Sequence, residues 1–110
     1  MKNEKLQKLI EDLNALSIKE GIKLWKRVAN ELSRPSRNRR EVNLSKVSKS
    51  IKEGEIALVP GKLLGQGDLD KKVQIAAYSF SKTAESKADI MTIEELFLKN
   101  PKGQKVRIIG

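Results

Sequence analysis

The chain has 110 residues and a net charge of +9 at pH 7, from 23 lysines and arginines against 14 acidic residues. It contains no cysteine and no histidine, which excludes disulfides, cysteine–histidine zinc sites and any mechanism that uses a thiolate or an imidazole. No stretch approaches the roughly 20 apolar residues of a membrane helix, and residues 1–8 lack the apolar centre of a secretion signal, so we expect a cytoplasmic protein with no membrane partner.

The first predicted element is an amphipathic helix that a second one follows closely. Leucine and isoleucine recur every three or four residues, a spacing that places them on one helix face. These residues are Leu6, Leu9, Ile10, Leu13 and Leu16. Ser17 and Glu20 then have the spacing of a capping box, which predicts that the second helix begins there. So short a connection predicts a helical hairpin over residues 1–33.

The second helix is predicted to have an apolar face and a basic one. Its apolar residues are Ile18, Ile22, Trp25, Val28, Ala29 and Leu32. Gly21 would lie inside this helix at a cost of roughly 1 kcal/mol relative to alanine. We interpret Trp25 as a packing residue, with base stacking as the alternative. Lys23, Lys26 and Arg27 lie away from the apolar face and either extend a basic surface or only contact solvent.

A basic loop is predicted over residues 34–42. Residues 21–40 contain seven bases and one acid, which places +6 of the net charge of +9 in this part of the chain. Pro35 interrupts any helix, and arginine can grip phosphate in a bidentate way or stack on bases. The alternative is a solvated charge run. The residues predicted to contact a polyanion here are Lys26, Arg27, Arg34, Arg37, Asn38, Arg39 and Arg40.

Short strands and helices are predicted to alternate over residues 43–110. Asn43 would cap a short helix that buries Leu44, Val47 and Ile51 and ends near Gly54. Apolar or β-branched runs predict strands, and capping patterns such as Thr92 with Glu95 predict helices. The strands are expected at 56–59, 73–78 and 106–109, and the helices at 82–87 and 93–98. The fold class is therefore mixed α/β, in a single domain of residues 1–110 that begins with the helical hairpin.

A glycine-rich segment lies between the first two predicted strands, at residues 59–72. It lacks the P-loop pattern, because Leu63 follows Gly61-Lys62 and position 56 is not glycine. It also lacks the dinucleotide pattern, because Asp70 stands where the third glycine is required. Asp68 and Asp70 lack the other ligands of a calcium loop.

Two interpretations of the glycine-rich segment remain. In the first, its glycines allow backbone turns and close approach to a partner, and three lysines bind phosphate. These are Lys62, Lys71 and Lys72. In the second, the segment is a structural loop between strands.

Aromatic residues are scarce, with one tryptophan, one tyrosine and two phenylalanines. They do not form the aromatic-rich strands with which some proteins read single-stranded RNA. Contacts to phosphate and to the shape of folded RNA are therefore favoured over base stacking.

Several short sequence segments match those of one protein family, and they occur in the same order over nearly the whole chain. They are Trp25…Val28-Ala29…Leu32…Pro35, Glu41-Val42-Asn43-Leu44, Val59-Pro60-Gly61-Lys62-Leu63-Leu64-Gly65-Gln66-Gly67, Ala76-Ala77…Phe80-Ser81 and Asn100-Pro101-Lys102-Gly103…Val106-Arg107. In these segments the chain resembles the archaeal members of the large-subunit ribosomal protein family called "eighteen-e", which is related to the bacterial ribosomal protein "fifteen".

The resemblance implies a structural constituent of the large ribosomal subunit that binds ribosomal RNA and is not an enzyme. It implies neighbouring ribosomal proteins as partners, and neither a cofactor, a metal, a small-molecule substrate nor a homo-oligomer. It also implies irregular stacked β-β-α units behind the helical part. The resemblance also implies that residues 34–40 and Gly61-Lys62 face the RNA.

Two other functions are weighed against the ribosomal one. A free-standing regulator that binds RNA or DNA would share the charge pattern, but the sequence has no recognition-helix or dimer signature. A small phosphate-handling enzyme would have to use the glycine-rich segment, which the failed motifs and the missing histidine disfavour.

Overall fold

The molecule is organised around a parallel β-sheet with helices on both faces. The computed structural model describes residues 4–34, 41–69 and 73–109. The elements in chain order are α1 (Glu4–Glu20), α2 (Lys23–Leu32), β1 (Glu41–Asn43), α3 (Leu44–Ser50), β2 (Ile56–Leu64), β3 (Gln74–Phe80), α4 (Lys82–Lys87), β4 (Asp89–Thr92), α5 (Ile93–Lys99) and β5 (Val106–Ile108). The prediction of a mixed α/β fold with an N-terminal helical hairpin is confirmed.

Strand β2 is the centre of the sheet. It pairs with β3 along one edge, and β4 pairs with β3 in turn. Along its other edge it pairs with β5 at Ile56–Leu58 and with β1 further along, at residues 62–64. All of these pairings are parallel. Because parallel neighbours cannot be joined by a tight hairpin, the chain must cross over between them.

Two apolar cores lie on the two faces of this sheet. Ala57 and Val59 of β2 belong to one core, which helices α3 and α4 cover with residues such as Val47 and Ala84. Leu58 belongs to the other core, which contains residues of α1, α2 and α5. A parallel strand that is covered on both faces is expected to be apolar throughout rather than alternating. This explains why residues 56–59 form a continuous apolar run.

The helical hairpin differs from the prediction at its turn. Helix α1 continues through Ser17 to Glu20, and Gly21 has a φ of +67°. The Ile22 N–H donates to the Ser17 carbonyl at 3.2 Å, and the Ser17 hydroxyl donates to the Ile22 carbonyl at 2.7 Å. The backbone hydrogen bond between Ile22 and Ser17 is the one found in the Schellman motif, in which a helix ends at a glycine. The predicted capping box at Ser17 is therefore wrong, and Ile18 is 85% exposed instead of belonging to the buried face of α2.

The strands differ from the predictions mainly in extent. The sequence does not predict β1 or β4, and β1 includes Glu41 and Val42, which the sequence places in the basic loop. Strand β2 extends past the predicted end at Val59 to Leu64, so Gly61 and Lys62 lie in a strand and not in a loop. A register irregularity between Val59 and Lys62 accommodates the proline and the glycine there.

The helices of the second half confirm most of the predicted boundaries. Helix α4 spans the predicted residues, and the Thr92 hydroxyl accepts a hydrogen bond from the Glu95 N–H at 3.1 Å at the start of α5. Asn43 occupies the N-cap of α3 but makes no side-chain capping hydrogen bond. The β-β-α order expected from the resemblance occurs at β2-β3-α4.

Trp25 is a packing residue, as predicted. It is fully buried, and its indole Nε1 donates to the Pro101 carbonyl at 2.7 Å. Its ring meets the Phe97 ring edge to face, with centroids 6.3 Å apart and an interplanar angle of 76°. This geometry suits the quadrupoles of the two rings. The contact ties α2 to the end of α5 and to the turn that follows it.

An ion pair connects strand β5 to the turn before β2. Arg107 Nε and Nη2 donate to the two carboxylate oxygens of Glu55 at 2.8 and 3.0 Å. The Lys52 N–H donates to the same carboxylate at 2.7 Å. The hydrogen bond from Arg107, and then that from Lys52, hold the pKa of Glu55 below its ordinary value. The carboxylate is thus bound in its charged form.

This ion pair predicts a loss of stability in acid. Because the pKa of Glu55 is lower in the folded chain than in the unfolded one, its contribution is present above the ordinary value of 4.5 and is lost as the pH falls through the folded pKa. Urea unfolding as a function of pH should show that loss in the wild type, and Glu55→Gln should have a flatter acid limb. Glu53→Gln, in the same turn, is the control, and equal slopes for wild type and Glu55→Gln would contradict the assignment.

Candidate nucleic-acid interface

The outer face of α2 is a continuous basic surface. Trp25, Val28, Ala29 and Leu32 are buried against the sheet. At about 3.6 residues per turn, the opposite side of the helix is polar and exposed. Its exposed residues are Lys23, Lys26, Arg27, Asn30 and, just beyond the helix, Arg34. We call these five residues the α2 face.

Arg34 is held at the end of this face by a neighbouring acid. Its Nη2 atom lies 3.6 Å from the Glu31 carboxylate, and the two side chains are 48% and 19% exposed. A surface ion pair of this kind contributes at most about 1 kcal/mol to stability. Its effect is therefore mainly to orient the guanidinium, which remains accessible to a phosphate.

Lys62 lies closer to the predicted basic loop than the sequence suggests. It is exposed on strand β2, and its register partners are Glu41 on β1 and Ser79 on β3. Glu41 directly follows residues 35–40. The parallel pairing of β1 with β2 therefore brings Lys62 next to the point where the chain leaves the arginine-rich segment. The carboxylate of Glu41 reduces the positive potential there.

The glycines of the 65–67 segment serve packing within the chain itself. A Cβ on Gly65 would lie 2.6 Å from Thr83 Cβ, and one on Gly67 would lie 2.6 Å from Ser45 Cβ. The Ser45 N–H also donates to the Gln66 carbonyl at 3.1 Å. Close approach to a partner is therefore the wrong interpretation for these two glycines, since the first turns of α3 and α4 fill the space beside them.

Lys87, at the end of α4, binds the same segment through hydrogen bonds. Its Nζ donates to the carbonyls of Gly65 at 3.0 Å and Gly67 at 3.2 Å, and lies 3.7 Å from the carboxylate of Asp68. Sequence reasoning misses this role, because a lysine at a helix end is ordinarily a solvated charge. The contact with Asp68 gives that carboxylate a structural partner.

Only some of the predicted contact residues can be placed. Lys26, Arg27, Arg34 and Lys62 are all exposed in the structure. The first three share the α2 face, whereas Lys62 lies in the sheet. The others lie outside the described residues, and their contacts remain predictions. They are Arg37, Asn38, Arg39, Arg40, Lys71 and Lys72.

A second pair of exposed lysines is missed by the sequence reasoning. Lys46 and Lys49 lie on α3 opposite its buried residues Leu44 and Val47, and α3 contains no acid. Summing charge over residues 41–60 hides this pair, because the acids of that block balance its lysines. Glu55, one of those acids, is bound to Arg107. Charge counted by helix face, rather than by block, would have revealed the pair.

Residues 4–34, 41–69 and 73–109 contain neither a metal-binding cluster nor a membrane-spanning helix. This part of the chain has no cluster of three or more acidic, histidine or cysteine residues arranged to hold a metal ion. None of its helices is both long and apolar enough to cross a membrane.

Comparison with known proteins identifies the family of the chain. Residues 2–90 match the model of a family described as ribosomal proteins 50S-L15, 50S-L18e and 60S-L27a. The chain belongs to this ribosomal-protein family. The large ribosomal subunit protein eL18 of Methanococcus maripaludis is 46% identical, in an alignment that covers 98% of this chain and 94% of that protein.

Other members of the L15/L18e family are similarly close over nearly their full length. The eL18 proteins of Archaeoglobus fulgidus and Haloarcula marismortui are 45% and 40% identical, and each alignment covers 97% of this chain and 96% of the relative. The resemblance inferred from the ordered segments is confirmed. The L15/L18e family is one of ribosomal proteins and is not a class of enzymes.

The close packing at Gly67 can be tested with a pair of alanine substitutions. Gly67 and Gly54 have φ values of +93° and +84°, so alanine should cost about 1–2 kcal/mol in either position. Gly54 has open space beside it, whereas Gly67 abuts Ser45. Gly67→Ala should therefore lower the free energy of unfolding by roughly 1–3 kcal/mol more than Gly54→Ala. Denaturant unfolding measures both, and equal losses would contradict the packing described.

Proposed function

We propose that this protein is a structural constituent of the large ribosomal subunit and binds ribosomal RNA through phosphate and shape contacts. Its relatives are named as proteins of that subunit. The observation that carries the RNA-binding part is the α2 face, where Lys23, Lys26, Arg27 and Arg34 are exposed on one side of the chain and lead into residues 35–40. Localised cations of this kind are the electrostatic footprint of a nucleic-acid contact.

The packing of the aromatic residues supports recognition through the RNA backbone. Trp25 is fully buried, and Phe97 is 9% exposed. Tyr78 and Phe80 are partly buried and pack against the two cores. Since all the aromatic rings contribute to the cores, base stacking has little support. Cation contacts to phosphate fix position and orientation without reading sequence.

The proposed RNA-binding surface combines placed and predicted residues. The α2 face and Lys62 form the described part. Residues 35–40, which directly follow Arg34 and precede Glu41 in the chain, would extend it, and Lys71 and Lys72 are added from the sequence alone. In this proposal the partners are large-subunit ribosomal RNA and neighbouring ribosomal proteins, and the protein acts in the cytoplasm as part of the subunit.

The salt dependence of RNA binding tests the proposed surface. Each lost phosphate contact should reduce the slope of log K against log salt by about 1. Lys26→Ala with Arg27→Ala should therefore weaken binding to a large-subunit RNA fragment and flatten the slope by about 2. Replacing Arg37, Arg39 and Arg40 with alanine should flatten it further, because released counterions drive these contacts.

The control for this experiment removes the same charge elsewhere. Lys8 and Lys19 are exposed on α1 and do not belong to the α2 face. Lys8→Ala with Lys19→Ala should leave the slope nearly unchanged. If this control and the α2 variant flatten the slope equally, binding depends on net charge and not on the proposed surface. If neither variant has an effect, the α2 face is solvated or contacts protein.

A further inference from the structure

The turn that joins α5 to β5 is basic and lies outside the RNA-binding surface proposed above. We call residues 100–105 the α5–β5 turn. Its two lysines, Lys102 and Lys105, are exposed, as is Lys99 at the end of α5. The chain contains no acid after Glu95, so nothing within this segment offsets their charge.

Packing holds the α5–β5 turn against helix α2. The Trp25 indole donates to the Pro101 carbonyl at 2.7 Å. A Cβ on Gly103 would lie 2.5 Å from Leu24 Cδ2 and 3.7 Å from Trp25 Cζ2, so only glycine fits this contact. Lys102 and Lys105 lie one and two residues from Gly103, which places their Cα atoms within about 7 Å of it. Both lysines are therefore close to α2.

The turn contacts the side of α2 that leads to the α2 face. At 3.6 residues per turn, Leu24 lies about 60° around the helix from Arg27 and about 100° from Lys23. The acid on this side of the helix, Glu31, is paired with Arg34. The turn therefore borders the α2 face and adds positive charge along its edge.

The backbone of the turn is fixed by hydrogen bonds within the chain. The Asn100 side chain donates to the Gln104 carbonyl at 2.8 Å and accepts from the Gln104 N–H at 3.3 Å. The Lys105 carbonyl accepts from the Ile56 N–H at 2.8 Å, which ties the turn to the start of β2. Lysines on a fixed backbone lose less conformational freedom when they bind a partner.

Lys105 adopts a backbone conformation that is rare for lysine. Its φ is +60°, and no other non-glycine residue among residues 4–34, 41–69 and 73–109 has a positive φ. Glycine and asparagine adopt this conformation with less strain. Strained positions of this kind cluster at functional sites. The turn alone would favour glycine here, so the lysine is better explained by its charge.

Acids near the turn are offset by cations of their own. Both carboxylate oxygens of Glu55 are bound by Arg107. Glu20 lines a groove beside the turn together with its neighbour Lys19, so their charges offset each other at a distance. The acids of α5 lie in its first turn, at the opposite end of that helix. Among the described residues, neither lysine of the α5–β5 turn forms an ion pair.

We propose that Lys102 and Lys105 bind phosphates of the same RNA that the α2 face contacts. The inference rests on the proposed function and deepens it, because it adds a segment distant in sequence to the RNA-binding surface. A lysine ammonium is a compact charge on a flexible stem, which can reach a phosphate from a fixed backbone. Phosphate contacts from two elements, α2 and the turn, fix the orientation of the protein on the RNA more firmly than contacts from one helix.

The first test measures how salt affects binding to in vitro transcribed large-subunit RNA. Lys102→Gln with Lys105→Asn removes two charges, and asparagine tolerates the φ of position 105, so the fold should be retained. The slope of log K against log salt should become flatter by about 2, one for each lost phosphate contact. Denaturant unfolding of the same variant should show a midpoint no lower than that of the wild type.

The matched control is Lys5→Gln with Lys8→Gln. These two lysines have the same spacing as Lys102 and Lys105 and are exposed on the first half of α1. Lys5 lies beside Glu94 at the start of α5, at the end of that helix opposite to the α5–β5 turn. The control removes the same charge and should leave the slope nearly unchanged.

A cleavage experiment locates the turn on the RNA. Because the chain has no cysteine, Gln104→Cys, Asn30→Cys and Ser86→Cys each create a single site for a tethered iron–EDTA reagent. Gln104 contributes only backbone atoms to the hydrogen bonds of the turn. Asn30 belongs to the α2 face, whereas Ser86 is exposed on α4, which covers the other face of the sheet. Positions 104 and 30 should cleave overlapping nucleotides, and position 86 should not cleave them.

Contrary results separate the inference from the proposed function. The inference is wrong if the double variant of the turn keeps the wild-type slope or flattens it no more than the control does. It is also wrong if position 104 cleaves nothing or cleaves nucleotides apart from those cut from position 30. The proposed function would stand in these cases, since the wild type would still bind the RNA. If the wild type itself does not bind large-subunit RNA, the proposed function is contradicted and the inference falls with it.

Discussion

The fold depends on one constraint, the burial of strand β2 on both faces. Its side chains alternate between two cores, with Ala57 and Val59 in one and Leu58 in the other. Its pairings with β1, β3 and β5 are parallel, so neighbouring strands are joined by crossovers rather than by tight turns. Helices therefore cover both faces of the sheet, and little of β2 is left to contact a partner. Surfaces for recognition must come mainly from the outer sides of the helices and from the edges of the sheet.

This constraint explains how a chain with so basic a composition separates its charges. Helix α2 needs one face for the core, and its outer face is left for Lys23, Lys26 and Arg27, which continue into Arg34 and the arginine-rich segment. Helix α1 also buries one face, and apolar residues border its contact with α5 together with charges of both signs, Asp12, Lys19 and Glu20. The two surfaces differ in charge and in exposed apolar area. That difference suits RNA on the α2 face, which is the assignment we propose.

Much of this organisation could be predicted from the sequence, and the errors have physical causes. Periodicity identifies α1 and the buried face of α2, and the capping pattern at Thr92 identifies α5. The predicted hairpin turn is misplaced because Ser17 and Glu20 match a capping box, whereas the positive φ of Gly21 ends the helix there. Strand β1 is missed because three residues carry no periodic signal; its stability comes from pairing with β2, which is distant in sequence. For the same reason, the sequence could not show that Gly65 and Gly67 pack against α4 and α3, or that Lys87 binds the carbonyls of these two glycines. The basic face of α2, in contrast, could be predicted, because it follows from the spacing of residues within one helix.

The most direct test of the central claim is co-sedimentation with large ribosomal subunits at physiological salt. We expect the full chain to pellet with the subunits in a constant ratio and to remain bound through repeated washing. A chain that stays in the supernatant while the subunits pellet would contradict the ribosomal assignment and would favour a free-standing nucleic-acid-binding protein.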